Sequence, residues 1–512
     1  MMPNQYSDSE RAAVYKVMRE RRDVRHGYLP TEIPPDVLTR VLSAGHLAGS
    51  VGLVQPWDFL LLTSLETRTR ILEHVASWRS EYARSLPAAR AKQFKNIKIE
   101  AILDTPVNVV VTADISRGGR HVLGARTQPR AAPQSTDLAV QNIWLAARAE
   151  GLGVNMMGFF DEGWLADLLD LPDNLQIVAY LCMGYVERFP PAAELELASW
   201  GKRRPLSWVV HQESYGRRGV PGDEPMTLLE EVIRKIRSQP PGQNQAIAAN
   251  THLDANEKAI AERLCAIASD GQPLFGTPAA VAVFAADDAQ TGNTAAAQRV
   301  NAIAEGRDPI AKQSVDVEAE LAVVDLGIGS KETLPGITRR RVRGADANGI
   351  PAKLEERDLI AVIEAGIETA RELAVGGNRC LTVLGTGDDT DSAELVELAM
   401  RKTLDPIPDL SKLRKIEQAA AAGFLLGAAA HRIPVVVHGH FGNAAALIAQ
   451  QIVPESALTC IPLKTPTSPP MYGLQAPSLV HDRTKATPDT YPISALSHIE
   501  RISNHLRASS IE

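Results

Sequence analysis

The sequence predicts an α+β domain followed by an α/β domain built on a parallel sheet. In the first half, short apolar strands are separated by long helices, whereas in the second half such strands end in glycine or aspartate and alternate regularly with helices. A stretch rich in proline and glutamine, SQPPGQNQAIAANTH, divides the halves as a linker. We therefore expect domains at 1–222 and 256–480, a helix and linker at 223–255, and a tail at 481–512.

Composition and charge exclude several classes of protein. The chain has 512 residues, of which 45% are hydrophobic and 22% charged, as in ordinary soluble domains. Its net charge of −7 excludes a strongly basic nucleic-acid surface. The sequence holds no apolar run long enough for a membrane helix and no secretory signal, and its four cysteines are widely spaced. We expect a cytoplasmic protein with neither nucleic acid nor membrane as a partner.

The elements of the first half follow from local patterns. A helix is predicted at DSERAAVYKVMRERR from its Asp/Ser cap, and a second at PPDVLTRVLSAGHLAG from the proline at its start. WDFLLLTS, VNVVVTADI and QIVAYLCMGYV are apolar runs typical of buried strands. LAVQNIWLAARAEGLG predicts a helix that ends at glycine and lies centrally, because more than one of its faces is apolar.

The second half predicts a Rossmann-like parallel sheet. Its strands are AVAVFAADD, ELAVVDLGIG, RCLTVLGTGDD and IPVVVHGHF, with helices such as KIEQAAAAGFLLGAAAH between them. Ligands of such sheets bind at the carboxyl ends of the strands. The loop at 385–392 lies at one such end, where its glycines and hydroxyls suit a phosphate and its aspartates suit a helix cap equally well. His438 and His440 follow another strand; without an obvious third ligand they indicate structural histidines, and we expect no metal site.

Three polar groups in the first half are candidate ligands for an anion or a flat ring. Arginines at the end of the first helix either face solvent or hold a phosphate, and the pattern alone favours solvent. The loop from Ser50 to Gln55 either leads into a strand or approaches a flat ligand. Lys202 and Arg204 belong to a late basic cluster that could meet the same phosphate.

Taken together and in this order, these segments resemble the nitroreductase superfamily. RRDVRHGYLP, GSVGLVQPWDFLLL, VQNIWLAARAEGLGV and VAYLCMGYVE resemble the 5,6-dimethylbenzimidazole synthase type within it. The resemblance implies a homodimer that binds flavin mononucleotide (FMN) where its two chains meet. It also implies that reduced FMN is the substrate and is fragmented by O2 to 5,6-dimethylbenzimidazole, the lower ligand of cobalamin. Whether a separate flavin reductase supplies the reduced FMN is left open.

The same resemblance assigns roles to individual residues. Asp23 matches an acidic residue that can move protons beside the flavin ring, as fragmentation requires. The position of a family serine falls on Gly158, so a catalytic hydroxyl is missing there. FMN-binding positions are matched by the following residues: Arg21, Arg22 and Arg25 after the first helix, Ser50 and Gln55 against the ring, and Lys202 and Arg204 near the phosphate.

Segments over roughly 275–465 resemble the nicotinate-nucleotide–dimethylbenzimidazole phosphoribosyltransferases, among them LAVVDLGIG, RRVRGADANGI and AAHRIPVVVHGHFGNAAALIA. Several family motifs are altered, and no residue matches the catalytic glutamate. We therefore expect a degenerate domain without transferase activity. Two alternatives stay open for the whole chain. One is an FMN-dependent oxidoreductase that acts on another small molecule, and the other is a non-catalytic protein that binds flavin or benzimidazole.

Overall fold

The computed structural model describes residues 5–123, 127–239, 253–268, 275–287, 294–330, 336–342, 345–346, 348–351, 354–387, 392–401, 405–413, 415–464, 479–480 and 490–509. The chain divides into two compact units: unit 1 comprises Met1–Leu86 and Ala91–Trp200, and unit 2 comprises Pro87–Arg90 and Gly201–Glu512. The domain boundaries expected at 222, 255 and 480 stay predictions. Residues 240–252 of the expected linker and 481–489 of the expected tail lie outside the described residues.

Unit 1 is an α+β fold around an antiparallel sheet. Its strands are β1 (Trp57–Leu62), β2 (Val107–Asp114), β3 (Leu152–Met157) and β4 (Leu175–Tyr185), in the order β1-β2-β4-β3. The helices up to Trp200 are α1 (Asp8–Glu20), α2 (Pro35–His46), α3 (Leu65–Ser85), α4 (Ala88–Lys95), α5 (Ala131–Ala149), α6 (Glu162–Leu168) and α7 (Glu194–Leu197).

The central strand β2 is buried on both faces. Because side chains alternate along a strand, Val109 and Val111 join the apolar cluster under α5, whereas Val110 joins the cluster on the opposite face. The predicted central helix is confirmed as α5, whose Val140 and Ile143 are buried against the sheet. The β-branched residues of VNVVVTAD suit this doubly covered position.

Unit 2 is an α/β fold around a seven-stranded sheet. Its strands are β5 (Ala279–Ala286), β6 (Glu320–Gly327), β7 (Ile337–Arg339), β8 (Cys380–Gly385), β9 (Val435–Val437), β10 (Cys460–Lys464) and β11 (Leu479–Val480). Their order is β11-β10-β9-β8-β5-β6-β7, and the pairings are parallel, which confirms the predicted sheet. The helices are α8 (Leu228–Arg237), α9 (Ala255–Ile267), α10 (Ala295–Ala304), α11 (Pro309–Asp316), α12 (Glu356–Val375), α13 (Ala393–Met400), α14 (Pro406–Leu413), α15 (Ile416–Ala430), α16 (Gly439–Ile452) and α17 (Tyr491–Ser509).

Helices α12 and α15 pack against each other through glycines. A Cβ atom built on Gly366 would lie 1.8 Å from the carbonyl oxygen of Ala420, and one built on Gly423 would lie 1.9 Å from that of Ile363. Every residue of α15 is buried, so this alanine-rich helix lies at the centre of the core of unit 2. Only residues without a side chain let the two backbones approach this closely.

Two segments outside the expected domains also contribute to the core of unit 2. Helix α8, in the expected linker region, is capped by Thr227 and buries Leu229 and Val232 in the cluster that contains α15. Helix α17, in the expected tail, buries Ile493 and Ile499 on the other side of the sheet. Within the described part of the chain, no helix is long and apolar enough to cross a membrane.

Candidate functional site

The segment after α1 is bound to strand β3. The backbone N–H of Val24 donates to the carbonyl of Val154 at 3.0 Å, and Asp23 forms a parallel bridge with the same residue. This pairing places Asp23 beside the last residues of β3, which lead to Gly158. Two predicted catalytic positions that are distant in sequence therefore lie on neighbouring backbone segments.

The carboxylate of Asp23 is held by donors from two sides. Its Oδ1 accepts the backbone N–H of Met156 at 3.0 Å and the Nδ2 of Asn155 at 3.1 Å. Its Oδ2 accepts Nε of Arg25 at 2.9 Å and lies 2.7 Å from Nη2 of that guanidinium. The Asp23 side chain keeps 28% of its surface exposed. The structure thus brings Asp23 and Arg25 together as a partly exposed, rigidly oriented ion pair.

Arg21 and Arg22 have different surroundings. The guanidinium of Arg21 lies 4.4 Å from the ring centroid of Trp144 on α5. Arg22 donates to the carbonyls of Arg19 at 2.5 Å, Arg21 at 2.8 Å and Pro191 at 3.2 Å. Arg22 therefore links the segment after α1 to the backbone at Pro191. Its predicted contact with FMN stays a prediction.

The loop between α2 and β1 has an unusual backbone. Gly52, Leu53 and Gln55 have φ angles of 62°, 54° and 49°, in the left-handed region that side chains normally avoid. The Oγ of Ser50 accepts the backbone N–H of Gln55 at 2.9 Å and closes the turn. The Nε2 of Gln55 donates to the carbonyl of His46 at 3.4 Å. The turn leaves Leu53 80% exposed, so the loop presents an uncovered apolar side chain.

Gly158 leaves space where the family serine is expected. The residue is exposed, and a Cβ atom built on it meets nothing within 4 Å. A serine side chain would therefore fit without displacing a neighbour.

Lys202 and Arg204 belong to unit 2, because the chain enters that unit after Trp200. The backbone N–H of Lys202 donates to the carbonyl of Val375 at 3.1 Å, and the guanidinium of Arg204 lies 3.9 Å from Glu372. Their predicted contact with the phosphate of FMN stays a prediction.

Sequence reasoning missed Asn155, which is completely buried and donates to Asp23. Its Oδ1 has no hydrogen-bond partner within the described residues. The available signal was a single amide in the otherwise apolar strand segment GVNMM. A cavity of about 700 Å³ beside this region was also missed; Arg25, His26, Lys98, Arg188 and Glu194 are among its lining residues.

At the carboxyl edge of the sheet in unit 2, Glu417 joins two strand ends. Its carboxylate accepts the backbone N–H of Ala286, the last residue of β5, at 3.0 Å, and those of Thr386 and Gly387 after β8 at 3.0 and 3.3 Å. The hydroxyl of Thr386 donates to it as well. Burial raises the pKa of the Glu417 carboxyl, and these hydrogen bonds oppose that rise. The sequence offered one signal for it, an acidic residue at the start of an alanine-rich helix.

Asp287 occupies the N-terminus of α10. Its carboxylate accepts the backbone N–H groups of Ala296 at 2.9 Å, Ala297 at 3.1 Å and Gly329 at 2.7 Å. Asp287 thus takes a position that otherwise suits a phosphate. Residues 388–391 of the candidate phosphate loop lie outside the described residues.

His438 is placed beside a neighbouring strand, with its Nδ1 3.4 Å from the carbonyl of Leu463. Within the ranges that the structure describes, no group of three or more histidine, cysteine, aspartate or glutamate side chains could hold a metal.

Both units match known families. Residues 18–185 match the nitroreductase family, and residues 257–404 and 391–469 match a phosphoribosyltransferase family. A 5,6-dimethylbenzimidazole synthase of Rhodospirillum rubrum is 32% identical over 200 residues, which are 39% of this chain and 94% of that protein. A nicotinate-nucleotide–dimethylbenzimidazole phosphoribosyltransferase of Salinispora tropica is 30% identical over 259 residues, 38% of this chain and 70% of that protein. The crystal structure of such a transferase from Thermus thermophilus is 21% identical, covers 54% of this chain and 96% of its own, and has a TM-score of 0.43.

Proposed function

We propose that this chain, which belongs to the 5,6-dimethylbenzimidazole synthases in its N-terminal part, converts reduced FMN and O2 into 5,6-dimethylbenzimidazole. In its C-terminal part the chain belongs to the nicotinate-nucleotide–dimethylbenzimidazole phosphoribosyltransferases. The N-terminal part is an FMN-dependent oxidoreductase of the nitroreductase family. The observation that carries the finer proposal is the carboxylate of Asp23, held rigidly beside the end of β3. Simple hydride transfer needs no such group, whereas fragmentation of the ribityl chain needs a residue that moves protons.

The residues of unit 1 fit a bound FMN. The phosphate of FMN requires cations, and two arginines, Arg21 and Arg25, flank Asp23 in the sequence. A flat ring requires apolar contact and hydrogen-bonding groups; Leu53 is uncovered, and the Oδ1 of buried Asn155 has no partner within the described residues. Reduced FMN would supply both the electrons for O2 and the carbon atoms of the product. Asp23 would hold and return a proton while Arg25 keeps its carboxylate oriented.

We propose that the protein is a homodimer, because helix α1 has an exposed apolar face. The helix buries none of its residues within the chain, and Val14, Tyr15 and Met18 are 47%, 58% and 49% exposed. An uncovered apolar face of this kind is typical of an interaction surface, and a second copy of the chain would cover it.

For the C-terminal part, we propose that transferase activity is lost. The carboxylates of Asp287 and Glu417 accept backbone N–H groups, and these residues are only 4% and 8% exposed, in contrast to the partly exposed Asp23. Neither carboxylate is therefore accessible as a general base at the strand ends. The test is incubation of the full chain with 5,6-dimethylbenzimidazole and nicotinate mononucleotide. We expect both compounds to be recovered unchanged, and a ribosylated base would contradict the proposal.

The synthase proposal is tested by one incubation. Purified full-length chain is mixed with chemically reduced FMN in air, and the products are separated by chromatography with mass detection. We expect 5,6-dimethylbenzimidazole to form as FMN disappears. Quantitative recovery of FMN would contradict fragmentation and favour an oxidoreductase that acts on another small molecule. Binding of FMN without any turnover would favour a non-catalytic flavin-binding protein.

A further inference from the structure

The stretch 201–226 lies between the two family-matched parts of the chain and belongs to unit 2. Two isolated bridges shape it, His211 with Arg218 and Arg218 with Met226. It packs on α12 through two contacts. Arg218 donates a hydrogen bond to Glu368, and the guanidinium of Arg371 lies 3.6 Å from the ring centroid of Trp208. A cavity of about 370 Å³ opens where this stretch meets α12 and the end of β7. Its volume falls within the range of roughly 300 to 1,000 Å³ found for ligand pockets.

Cations outnumber anions around this cavity. It is lined by the arginine cluster, namely Arg204, Arg218, Arg340 and Arg371, and by two carboxylates, Glu368 and Glu372. The two carboxylates are shared among three of the arginines, and Arg371 pairs with Glu231 at 3.2 Å. Burial lowers the pKa of Arg371 to about 10, so its guanidinium remains charged at neutral pH. The cavity therefore favours an anion.

The arginine cluster also holds buried donors without a partner. Arg218 is only 4% exposed, and its Nε and Nη1 have no hydrogen-bond partner among the described residues. The same holds for Nε of Arg340. Leaving charged donors buried and unpaired is costly, and the planar guanidinium matches the oxygens of a phosphate. These donors point to an anionic ligand with several oxygens.

Aromatic rings complete the lining. Trp208 lies against the arginine cluster, and the rings of His211 and Tyr215 are stacked with their centroids 4.5 Å apart. Tyr215 is 84% exposed, so a large part of this surface is uncovered. Aromatic and guanidinium planes together suit a flat, polarisable ring.

We infer that this cavity binds a mononucleotide, a ligand that joins one phosphate to a flat heteroaromatic ring. The arginine cluster takes the phosphate, and the rings of Trp208 and Tyr215 take the base. The site lies in unit 2, among residues other than Asp287, Thr386 and Glu417 at the carboxyl edge of the sheet. The inference assigns Arg204 to this ligand in place of the FMN phosphate that the resemblance implies, and it does not otherwise depend on the synthase reaction proposed for unit 1.

Trp208 provides a local probe, because the other five tryptophans of the sequence belong to unit 1. The full chain is titrated with nicotinate mononucleotide, AMP and inorganic phosphate, and the fluorescence of the wild type is compared with that of Trp208→Phe. We expect saturable quenching of the Trp208 signal by at least one mononucleotide, at lower concentration than any effect of inorganic phosphate. The response to the two mononucleotides distinguishes a pyridine from an adenine ligand.

Two neighbouring arginines give a matched pair of variants. Arg204 lines the cavity, whereas Arg203 is exposed and is not among the lining residues. We expect Arg204→Gln to weaken mononucleotide binding roughly tenfold or more, and Arg203→Gln to leave it unchanged. Arg218→Met should weaken binding further, and circular dichroism checks that this buried variant still folds.

The inference is overturned if neither mononucleotide changes the Trp208 signal. Equal weakening by Arg203→Gln and Arg204→Gln would also overturn it, because general charge attraction would then explain the binding. If inorganic phosphate binds as tightly as both mononucleotides, the aromatic rings do not contribute to binding, and the assigned ligand is contradicted.

Discussion

The Oδ1 of Asp23 accepts the backbone N–H of Met156 at 3.0 Å. This bond, with that from Asn155, joins the segment after the first helix to the last residues of β3. It sets the carboxylate beside the strand end that leads to Gly158. The reactivity proposed for unit 1 depends on this junction.

Asp23→Asn should retain FMN binding and lose formation of 5,6-dimethylbenzimidazole. An amide cannot take up a proton at neutral pH, and its NH2 group would face either the donors of β3 or Arg25. FMN affinity and product yield are measured on the same preparation. Asp36→Asn is the control, since that exposed carboxylate on α2 pairs with Arg40. An unchanged yield in Asp23→Asn would remove the residue from the mechanism.

Gly158→Ser should raise the rate of product formation if the hydroxyl is the missing catalytic group. The added side chain meets nothing within 4 Å, so the free energy of unfolding should change by less than about 0.5 kcal/mol. Initial rates at equal FMN concentration provide the measurement. A rate equal to that of the wild type would show that the hydroxyl is dispensable in this chain.

Arg21→Ala should weaken FMN binding by about 1.5–3 kcal/mol, the cost of losing a charge-assisted hydrogen bond. FMN titration followed by flavin fluorescence measures the loss. Arg19→Ala in the last turn of α1 is the matched control, because that side chain is exposed. If both variants bind FMN as the wild type does, Arg21 has no role in FMN binding, and its guanidinium only packs on Trp144.

Gly423→Ala should destabilise unit 2 by about 1–3 kcal/mol, because the new methyl group would overlap the carbonyl of Ile363 and force α12 and α15 apart. Gly442→Ala on α16 is the milder comparison, since its Cβ would lie 3.3 Å from Val437. Urea unfolding followed by circular dichroism compares the two. Equal stability of both variants would contradict the close approach of the helices.

Acidification should destabilise unit 2 through His431. Burial and neighbouring cations lower the pKa of this histidine to about 3 from its usual 6.5. Below pH 6.5 the unfolded chain takes up a proton that the folded chain does not, so stability falls as pH falls toward 3. At pH 5 the loss is about 2 kcal/mol.

His431→Asn should remove this part of the pH dependence. Urea unfolding of both proteins at pH 7.5 and pH 5 makes the comparison. A variant whose stability falls as steeply as that of the wild type would show that other groups cause the acid sensitivity.

Much of the fold was predictable because it depends on local patterns. Alternating apolar strands and helices predicted the parallel sheet of unit 2, and the glycine-ended helix in the first half was correctly expected to be central. For the candidate site, the family resemblance selected Asp23, Arg25 and Gly158, and their roles stay predictions. It could not show that Asn155 holds Asp23, because those residues are 132 positions apart.

The sequence by itself determined which segments form strands and helices, and which families they resemble, since hydrophobic periodicity and motif order are properties of the chain. Only the tertiary structure decided how individual charges are used. It placed Lys202 and Arg204 in unit 2, committed Arg22 to backbone carbonyls, and joined Arg218 to Glu368, 150 positions away. The physical reason is that a charged side chain takes the partner that folding brings within hydrogen-bond distance, and that partner depends on the packing of distant elements.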